Sequence, residues 1–390
     1  MKIAIGQSGG PTAVINASLV GFLDSINEDA QLFGIQNGYE GLVNNELINL
    51  EGQMLNRVRE FKNLPGACLG SGRYKLTDDK IIQAVKHLIK NDIQTIVFIG
   101  GNGTMAALDK ICQQARLMGY DLQVIGIPKT VDNDLCGTDH APGFGSAARY
   151  VALSARDINS DLESMKNFEQ VRILETMGRN AGWLAASSGL LKQSDEDGPH
   201  LICLPEDKIE KGHFLSQVKE IVQEYGMATI VMSEGFNFAG ESQTQFASFN
   251  GRSVLGGISK DAEQLVKQEL GLAARAEILG MHQRCSSMAV SFQDRLEAYK
   301  TGHTAAEWIK AGKSGVMVSI QRQQHIGYNY ILEPQSLTRV ANGGEKLLPI
   351  EFLTHRDRFY KWLEPLIGDD IINYPPSLKR RIIKHEQTIC

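Results

Sequence analysis

The first 130 residues alternate short apolar runs with segments whose apolar positions recur at helical spacing. KIAIG at residues 2–6 and IQTIVFIG at 93–100 are typical of buried strands. The segments at 13–27, 78–92 and 104–119 carry the helical period instead. Repeated strand–helix–strand order predicts a parallel sheet with helices on both faces.

A second series of the same kind begins near residue 150. Its predicted strands and helices are, in order, EQVRILETMG, AGWLAASSGLL, PHLICLPE, HFLSQVKEIVQEYG and MATIVMSEG. We therefore predict an α/β protein of two similar lobes, each a mainly parallel sheet covered by helices. The polar, glycine- and serine-rich residues 237–257 are predicted to be a surface insertion, and the segment from about 340 to 390 has no clear pattern.

Composition and charge exclude several classes of partner. The chain has 390 residues, of which 42% are hydrophobic and 22% charged, and its net charge is −5. It therefore lacks the basic character of nucleic-acid-binding proteins. No apolar run approaches the roughly 18–20 residues that span a bilayer, and MKIAIGQSGG is unlike a signal peptide. With six cysteines that lack CxxC spacing, we expect a cytoplasmic protein with free thiols and neither a membrane nor a nucleic-acid partner.

Three loops of the first lobe have the residues of a phosphate site. Their sequences are GQSGGPTAVINAS (6–18), GSGRYK (70–75) and FIGGNGTMAA (98–107). Glycines such as Gly10, Gly101 and Gly103 let backbone N–H groups close around phosphate oxygens at a helix N-terminus. Arg73 and Lys75 would neutralise phosphate charge, and Thr104 would cap the helix or hold a phosphate. Neither familiar nucleotide fingerprint is present, and each loop alone is equally compatible with a tight turn.

The sequence PKTVDND at residues 128–134 follows the next predicted strand. Phosphoryl transfer to a hydroxyl needs a base near that hydroxyl and cations near the phosphates. Lys129, Asp132 and Asp134 supply both kinds of group. A capped turn with a local ion pair is the alternative interpretation of this motif.

Six motifs resemble the phosphofructokinase family: SGGPTAVINAS, GGNGT, PKTVDND, GFGSAARY, ETMGRNAGWLA and LGMHQR. They follow the family's order from residue 3 to about 295, and they resemble the branch that holds pyrophosphate-dependent and related ATP-dependent enzymes. The resemblance implies a phosphofructokinase-like fold, Mg²⁺ as cofactor, a role in glycolysis, and a homodimer or homotetramer whose acceptor site a neighbouring chain completes. It also implies a donor lobe of 1–148 plus about 285–335, and an acceptor lobe of 149–284 plus about 336–390.

The resemblance also implies roles for individual residues. Asp132 matches the catalytic base, and Lys129 and Arg179 complete the catalytic set. Donor binding is assigned to Gly10, Arg73, Lys75, Gly101, Gly103 and Thr104. Acceptor binding is assigned to Thr130, Asp132, Met177, Gly178, Arg179, Glu234, Arg275, Met281 and Arg284. The metal side is assigned to Asn102 and Asp134.

Two positions bear on the phosphoryl donor. In pyrophosphate users of the family, the position of Gly103 typically holds an aspartate, whose charge occupies the place of the α-phosphate of ATP. Gly103 leaves that space open. Lys129 is the residue that pyrophosphate users place on the leaving phosphate, although some ATP users of this branch combine it with glycine. The resemblance therefore favours ATP over pyrophosphate.

Three departures from the family pattern bear on the metal and the acceptor. Asn102 replaces an aspartate that many members use near the metal. Met281 stands where the family often has His or Tyr at the 6-phosphate, and Gln170 where many members place an arginine that reaches across a subunit interface. The leading hypothesis is transfer from ATP to the 1-hydroxyl of fructose 6-phosphate. The alternatives are pyrophosphate as donor, another sugar phosphate or a polyol as acceptor, or a non-catalytic sugar-phosphate sensor.

Overall fold

The computed structural model describes residues 1–27, 29–249, 252–323 and 327–375. The strands are β1 (Lys2–Gln7), β2 (Gln31–Ile35), β3 (Leu47–Asn49), β4 (Thr95–Gly100), β5 (Gln123–Pro128), β6 (Val171–Thr176), β7 (Leu201–Cys203), β8 (Ala228–Ser233), β9 (Gln245–Phe249), β10 (Arg252–Leu255), β11 (Ala274–Ile278), β12 (Val316–Arg322) and β13 (Tyr330–Ser336). The helices are α1 (Ile15–Leu23), α2 (Tyr39–Asn44), α3 (Gly52–Glu60), α4 (Asp78–Lys90), α5 (Asn102–Leu117), α6 (Phe144–Met165), α7 (Trp183–Ser187), α8 (Lys211–Tyr225), α9 (Ile258–Leu270), α10 (His282–Cys285), α11 (Phe292–Lys310), α12 (Leu337–Asn342), α13 (Ile350–Thr354) and α14 (Arg356–Ile367). A short 3₁₀ turn covers Phe61–Asn63.

The larger sheet has seven strands in the order β13-β12-β5-β4-β1-β2-β3. Its five inner strands are parallel, and the two edge strands β3 and β13 run antiparallel to their neighbours. Alternate residues of β4 enter two separate cores: Ile96 and Phe98 pack with α4 and α5, while Val97 and Ile99 pack with α1 and α11. Burial on both faces explains why this strand is a continuous apolar run.

The smaller sheet has four parallel strands in the order β11-β6-β8-β7. Ile230 and Met232 of β8 face a core shared with α8 and α9, and Val231 faces the opposite core with α6, α7 and α14. The predicted α/β class, a mainly parallel sheet flanked by helices, is confirmed.

Several elements differ from the sequence-based expectation. The predicted helix over 181–191 is shorter, since α7 ends at Ser187. Residues 237–257 include the antiparallel hairpin of β9 and β10, and Phe238 at the start of this segment is buried in the core, so the segment is not wholly a surface insertion. The segment after residue 336 forms three helices, of which α12 packs on α5 and α14 packs on α6. Within the described ranges, no helix is both long and apolar enough to span a membrane.

Candidate active site

The candidate site is built from loops that follow the carboxyl ends of strands in both sheets, where ligands of α/β proteins bind. The loops are the donor loop (residues 8–10) after β1, the start of α5 after β4, the catalytic loop (129–139) after β5, the arginine loop (177–182) after β6, and Glu234 after β8. Asp132 lies close enough to Glu234 and Arg73 for their charges to shift its pKa. The loops of the two sheets therefore face one another.

Lys129 holds the backbone of the donor loop in place. Its ammonium donates to the Ser8 and Gly10 carbonyl oxygens at 2.8 and 2.7 Å. The Gly9 N–H donates to the Gly72 carbonyl at 3.0 Å, and Gly9 has a φ of +81°, which favours glycine. The loop is thus fixed before any phosphate arrives.

Gly10 lies between two guanidinium groups. A Cβ atom at this position would be 2.8 Å from Arg284 Nη1 and 3.8 Å from Arg73 Nη2. A side chain at Gly10 would make the Arg284 guanidinium shift, whereas Arg73 would stay in ordinary van der Waals contact. Arg284, predicted for the acceptor, therefore lies against the donor loop, and its assignment to the acceptor stays a prediction.

Burial disfavours the charged form of Lys129, which is only 3% exposed. The pKa of Lys129 is lowered to about 7, chiefly by burial and also by the nearby Arg73 and Arg284, against the opposing effect of Asp132 and Asp134. An incoming phosphate would raise this pKa again by supplying negative charge. The group is thus suited to stabilising a phosphate.

At the start of α5, the space beside Gly103 is empty, whereas Thr104 is packed inside the protein. A Cβ atom on Gly103 would meet no atom within 4 Å. Thr104 is buried, and its carbonyl accepts a 2.8 Å hydrogen bond from the Tyr39 hydroxyl. The residue at the N-cap is Gly101, so Thr104 does not cap the helix.

Asn102 and Asp134 lie together on the predicted metal side. The Asn102 amide N–H donates to the Asp134 carbonyl oxygen at 2.9 Å, and the Thr130 hydroxyl donates to Asp134 Oδ1 at 3.0 Å. Asn102 Oδ1 is buried without a hydrogen-bond partner. No group of three or more His, Cys, Asp or Glu side chains that could hold a metal occurs in the part of the chain that the structure describes. One carboxylate and one amide oxygen fit Mg²⁺, which keeps most of its ligands as water and substrate phosphates.

Asp132 has the environment of a general base. Its backbone N–H donates to Thr130 Oγ1 at 3.2 Å. The pKa of Asp132 is raised to about 7, chiefly by burial and also by the carboxylates of Asp134 and Glu234, with Arg73 opposing them. A carboxylate with a pKa near neutrality is well matched to accept a hydroxyl proton.

The arginine loop is shaped by Gly178. Its φ is +133°, and its carbonyl accepts a 2.5 Å hydrogen bond from the Ser233 hydroxyl. The Met177 N–H donates to Gln283 Oε1 at 2.9 Å, and the Arg179 carbonyl accepts from Gln243 Nε2 at 3.0 Å. These contacts fix the backbone of the arginine loop in the space between the two sheets.

Glu234 lies in the turn after β8, and its N–H donates to the Thr176 carbonyl oxygen at 2.8 Å. Burial raises the pKa of Glu234, and Glu175 raises it further, whereas Arg179 and Arg73 lower it. Glu234 therefore belongs to the same electrostatic cluster as Asp132.

Three predicted residues are not gathered into this cluster. Arg275 is the second residue of β11, about 10 Å along the strand from its carboxyl end, and it pairs with Glu169 at 2.5 Å. Met281 is 56% exposed in the turn before α10. Lys75 is exposed on the segment before α4. Their roles stay predictions.

Sequence reasoning missed residues that support the arginine loop from a distance. Glu206 accepts hydrogen bonds from the Gly182 and Leu348 N–H groups, each at 3.0 Å. Asn180 donates to Glu345 at 2.6 Å. The Glu206 signal was an acid at a strand end in LPE, but its second partner is 142 residues away, so no local pattern reveals it.

Comparison with known proteins identifies the family. A sequence profile described as Phosphofructokinase matches residues 2–309. The chain belongs to the phosphofructokinase family. The resemblance of the six motifs is thereby confirmed, and the chain is a phosphofructokinase-type enzyme.

Three of its relatives are named for two different activities. The chain is 46% identical over 376 residues to a sulfofructose kinase of Alkalicoccus urumqiensis, which covers 96% of this chain and 97% of that protein. It is 34% identical over 383 residues to the pyrophosphate–fructose 6-phosphate 1-phosphotransferase of Xanthomonas campestris pv. campestris (strain B100), with 94% and 91% covered. Among solved structures, the pyrophosphate-dependent phosphofructokinase from Marinobacter aquaeolei has a TM-score of 0.84 and 34% identity, covering 97% of this chain and 94% of that one.

Proposed function

We propose that the protein is a Mg²⁺-dependent kinase that transfers the terminal phosphoryl group of ATP to the 1-hydroxyl of sulfofructose, a ketose whose C6 carries a sulfonate. The observation that carries the proposal is the 46% identity to a sulfofructose kinase along nearly the whole of both chains. The relative named for fructose 6-phosphate and pyrophosphate is 34% identical.

The charge of the acceptor end supports a sulfonate. A sulfonate carries one negative charge, whereas a phosphate ester carries about −1.5 to −2 at neutral pH. Gln170 and Met281 are neutral at positions where phosphofructokinases often use Arg and His or Tyr. Arg172, two residues from Gln170, is paired with Glu169 at 2.6 Å and with Glu277 at 2.8 Å. An acceptor end with fewer cations suits a monoanion.

The open space at Gly103 supports ATP as the donor. No atom lies within 4 Å of a Cβ built there, so the start of α5 leaves room for a nucleotide's α-phosphate. Pyrophosphate is the second candidate donor, because the 34% identical relative is a pyrophosphate–fructose 6-phosphate 1-phosphotransferase.

The residues divide the reaction between them. Asp132 takes the proton from the 1-hydroxyl as that oxygen attacks the terminal phosphorus and the bond to the donor's bridging oxygen breaks. Lys129, Arg73 and Arg284 stabilise the negative charge on the transferred group and on the departing phosphate. Arg179 approaches the same group from the acceptor side.

Mg²⁺, when bound with the donor, neutralises phosphate charge. Asn102 Oδ1 and the Asp134 carboxylate would hold it, partly through water.

Fructose 6-phosphate is the second candidate acceptor, since Asp132, Glu234 and the arginine loop would bind the sugar end of either ketose in the same way. We also propose a cytoplasmic homodimer or homotetramer in which a neighbouring chain completes the acceptor site, as the family resemblance implies.

The test is the structure of the product. The enzyme is incubated with ATP, Mg²⁺ and sulfofructose, and the product is examined by ¹H–³¹P correlation NMR. The proposal expects one new phosphoester, coupled to the C1 methylene protons. Absence of product, or a phosphoester at another carbon, would contradict it.

A further inference from the structure

The segment after α12 packs against the catalytic loop. We call residues 343–348 the strap. Leu135 and Glu345 form an antiparallel bridge, and the Lys346 N–H donates to the Asp134 carbonyl at 2.8 Å. That carbonyl is the same one that accepts from Asn102. The strap therefore contacts the catalytic loop where the base and the metal-side carboxylate lie.

Lys346 extends this contact toward α7. Its ammonium is largely buried and donates to the carbonyl oxygens of Thr138 and Asp139 at 3.1 and 2.6 Å. The same ammonium lies 4.8 Å from the centroid of the Trp183 ring, whose Nε1–H donates to the Lys346 carbonyl at 3.0 Å. One side chain thus joins the far half of the catalytic loop to the helix that follows the arginine loop.

The strap also holds the part of the arginine loop that follows Arg179. Glu345 accepts the 2.6 Å hydrogen bond from Asn180. Glu206 bridges the Gly182 and Leu348 N–H groups. The contacts that the strap and Glu206 make through Asn180, Thr138 and Leu348 join residues that are 142 to 208 positions apart in the chain.

We infer that the strap positions the arginine loop against the catalytic loop, and that Glu345 is the strap residue through which this positioning acts on the reaction. Glu345 is a positioning residue, since it acts through its hydrogen bond with Asn180, the neighbour of Arg179. The inference deepens the proposed function and rests on the roles proposed there for Asp132 and Arg179.

Two substitutions test the hydrogen bond from Asn180 to Glu345. Glu345→Ala removes the acceptor, and we expect an approximately tenfold fall in kcat with little change in donor KM. Glu345→Gln keeps a side-chain oxygen that can accept from Asn180, and we expect it to restore kcat to near the wild-type value. Glu364→Gln, an exposed carboxylate of α14 in the same C-terminal segment, is the matched control and should behave as wild type.

A kcat for Glu345→Ala equal to that of Glu364→Gln would overturn the inference, and so would an equal loss of kcat in Glu345→Ala and Glu345→Gln. An Asp132→Asn variant distinguishes this failure from failure of the proposed function. If Asp132→Asn turned over at the wild-type rate, the assignment of the base would be wrong. If it were inactive while both Glu345 variants matched the control, only the role of the strap would be wrong. Asn180→Ala removes the donor of the same hydrogen bond, so it should show the same fall in kcat even if Glu345→Ala folds poorly.

Discussion

At the residue scale, the identity of the donor depends on empty space at Gly103 and on a buried charge at Lys129. Gly103 is the second residue of α5, and nothing fills the position of its Cβ. Lys129 supports the donor loop through two carbonyl oxygens. The sequence predicts both residues because each lies directly after an apolar strand. It does not predict that Arg284 lies beside Gly10, since the two residues are far apart in the sequence.

Gly103→Asp should reduce kcat/KM for ATP by about 10²-fold, because a carboxylate would occupy and repel the α-phosphate. Pyrophosphate, which lacks that phosphate, should be used at least as well as before. Steady-state rates with each donor check this. The matched control is Gly212→Asp in α8, also the second residue of a helix with no atom within 4 Å of its Cβ. Equal loss with both donors would contradict the donor argument.

The pH profile of the free enzyme should be bell-shaped around neutrality. Asp132 must be deprotonated to act as base, and burial raises its pKa to about 7, so kcat/KM should fall below that pH. Lys129 must be charged, and burial lowers its pKa to about 7, so kcat/KM should fall above it. Bound phosphates stabilise the charged lysine, which moves the alkaline limb of kcat to higher pH than that of kcat/KM. Coincident alkaline limbs would argue against Lys129 as a phosphate-binding cation.

At the scale of elements, the strands and glycine loops of both sheets follow from the sequence because burial on both faces leaves continuous apolar runs. The catalytic loop is predictable for the same reason, since its charges come directly after β5. The strap and α14 are not predictable, because their contacts lie with loops more than 140 residues away. The ring of Trp362 in α14 lies 5.2 Å from that of Trp183. Phe359, Trp362, Leu363 and Leu366 recur at helical spacing, but this local pattern does not identify Trp183 as the partner.

A buried histidine joins the catalytic loop to α11. His140 lies 2.8 Å from Asp139 and 2.6 Å from Glu297. Burial alone would lower its pKa, but the charges of Glu297 and Asp139 outweigh burial and raise it to about 9. The folded state therefore binds a proton that the unfolded chain, with a histidine pKa of about 6.5, releases at lower pH.

His140→Gln should remove this linkage. The stability that His140 contributes is fully present below about pH 6.5 and lost as pH rises through about 9, at most roughly 3 kcal/mol. The difference in unfolding free energy between wild type and His140→Gln should shrink across that window, as measured by urea denaturation at several pH values. Using the difference cancels other groups that titrate there. His213→Gln, exposed on α8, should show no such trend, and a constant wild-type–His140→Gln difference would contradict the assignment.

At the scale of the whole molecule, the site needs both sheets, and the family resemblance implies a neighbouring chain as well. Gln170 and Arg275 lie at the amino-terminal edge of the smaller sheet, where Gln170 Oε1 accepts from the Ala273 N–H at 3.0 Å. Residues at that edge would have to act on a second chain, because the acceptor loops of their own chain follow the opposite ends of the strands.

Gln170→Arg should shift acceptor preference toward the more highly charged fructose 6-phosphate. One added cation near a dianion should raise the ratio of kcat/KM for fructose 6-phosphate over sulfofructose by about tenfold. Gln113→Arg, exposed on the outer face of α5, adds the same charge elsewhere and should leave the ratio unchanged. If Gln170→Arg left this ratio unchanged, residue 170 would have no role in acceptor preference.

The most direct test of the account is kcat/KM for sulfofructose and for fructose 6-phosphate, each measured with ATP and with pyrophosphate at saturating Mg²⁺. The account predicts that sulfofructose with ATP is the preferred pair by at least about tenfold. A higher value for fructose 6-phosphate, or turnover with pyrophosphate alone, would contradict it.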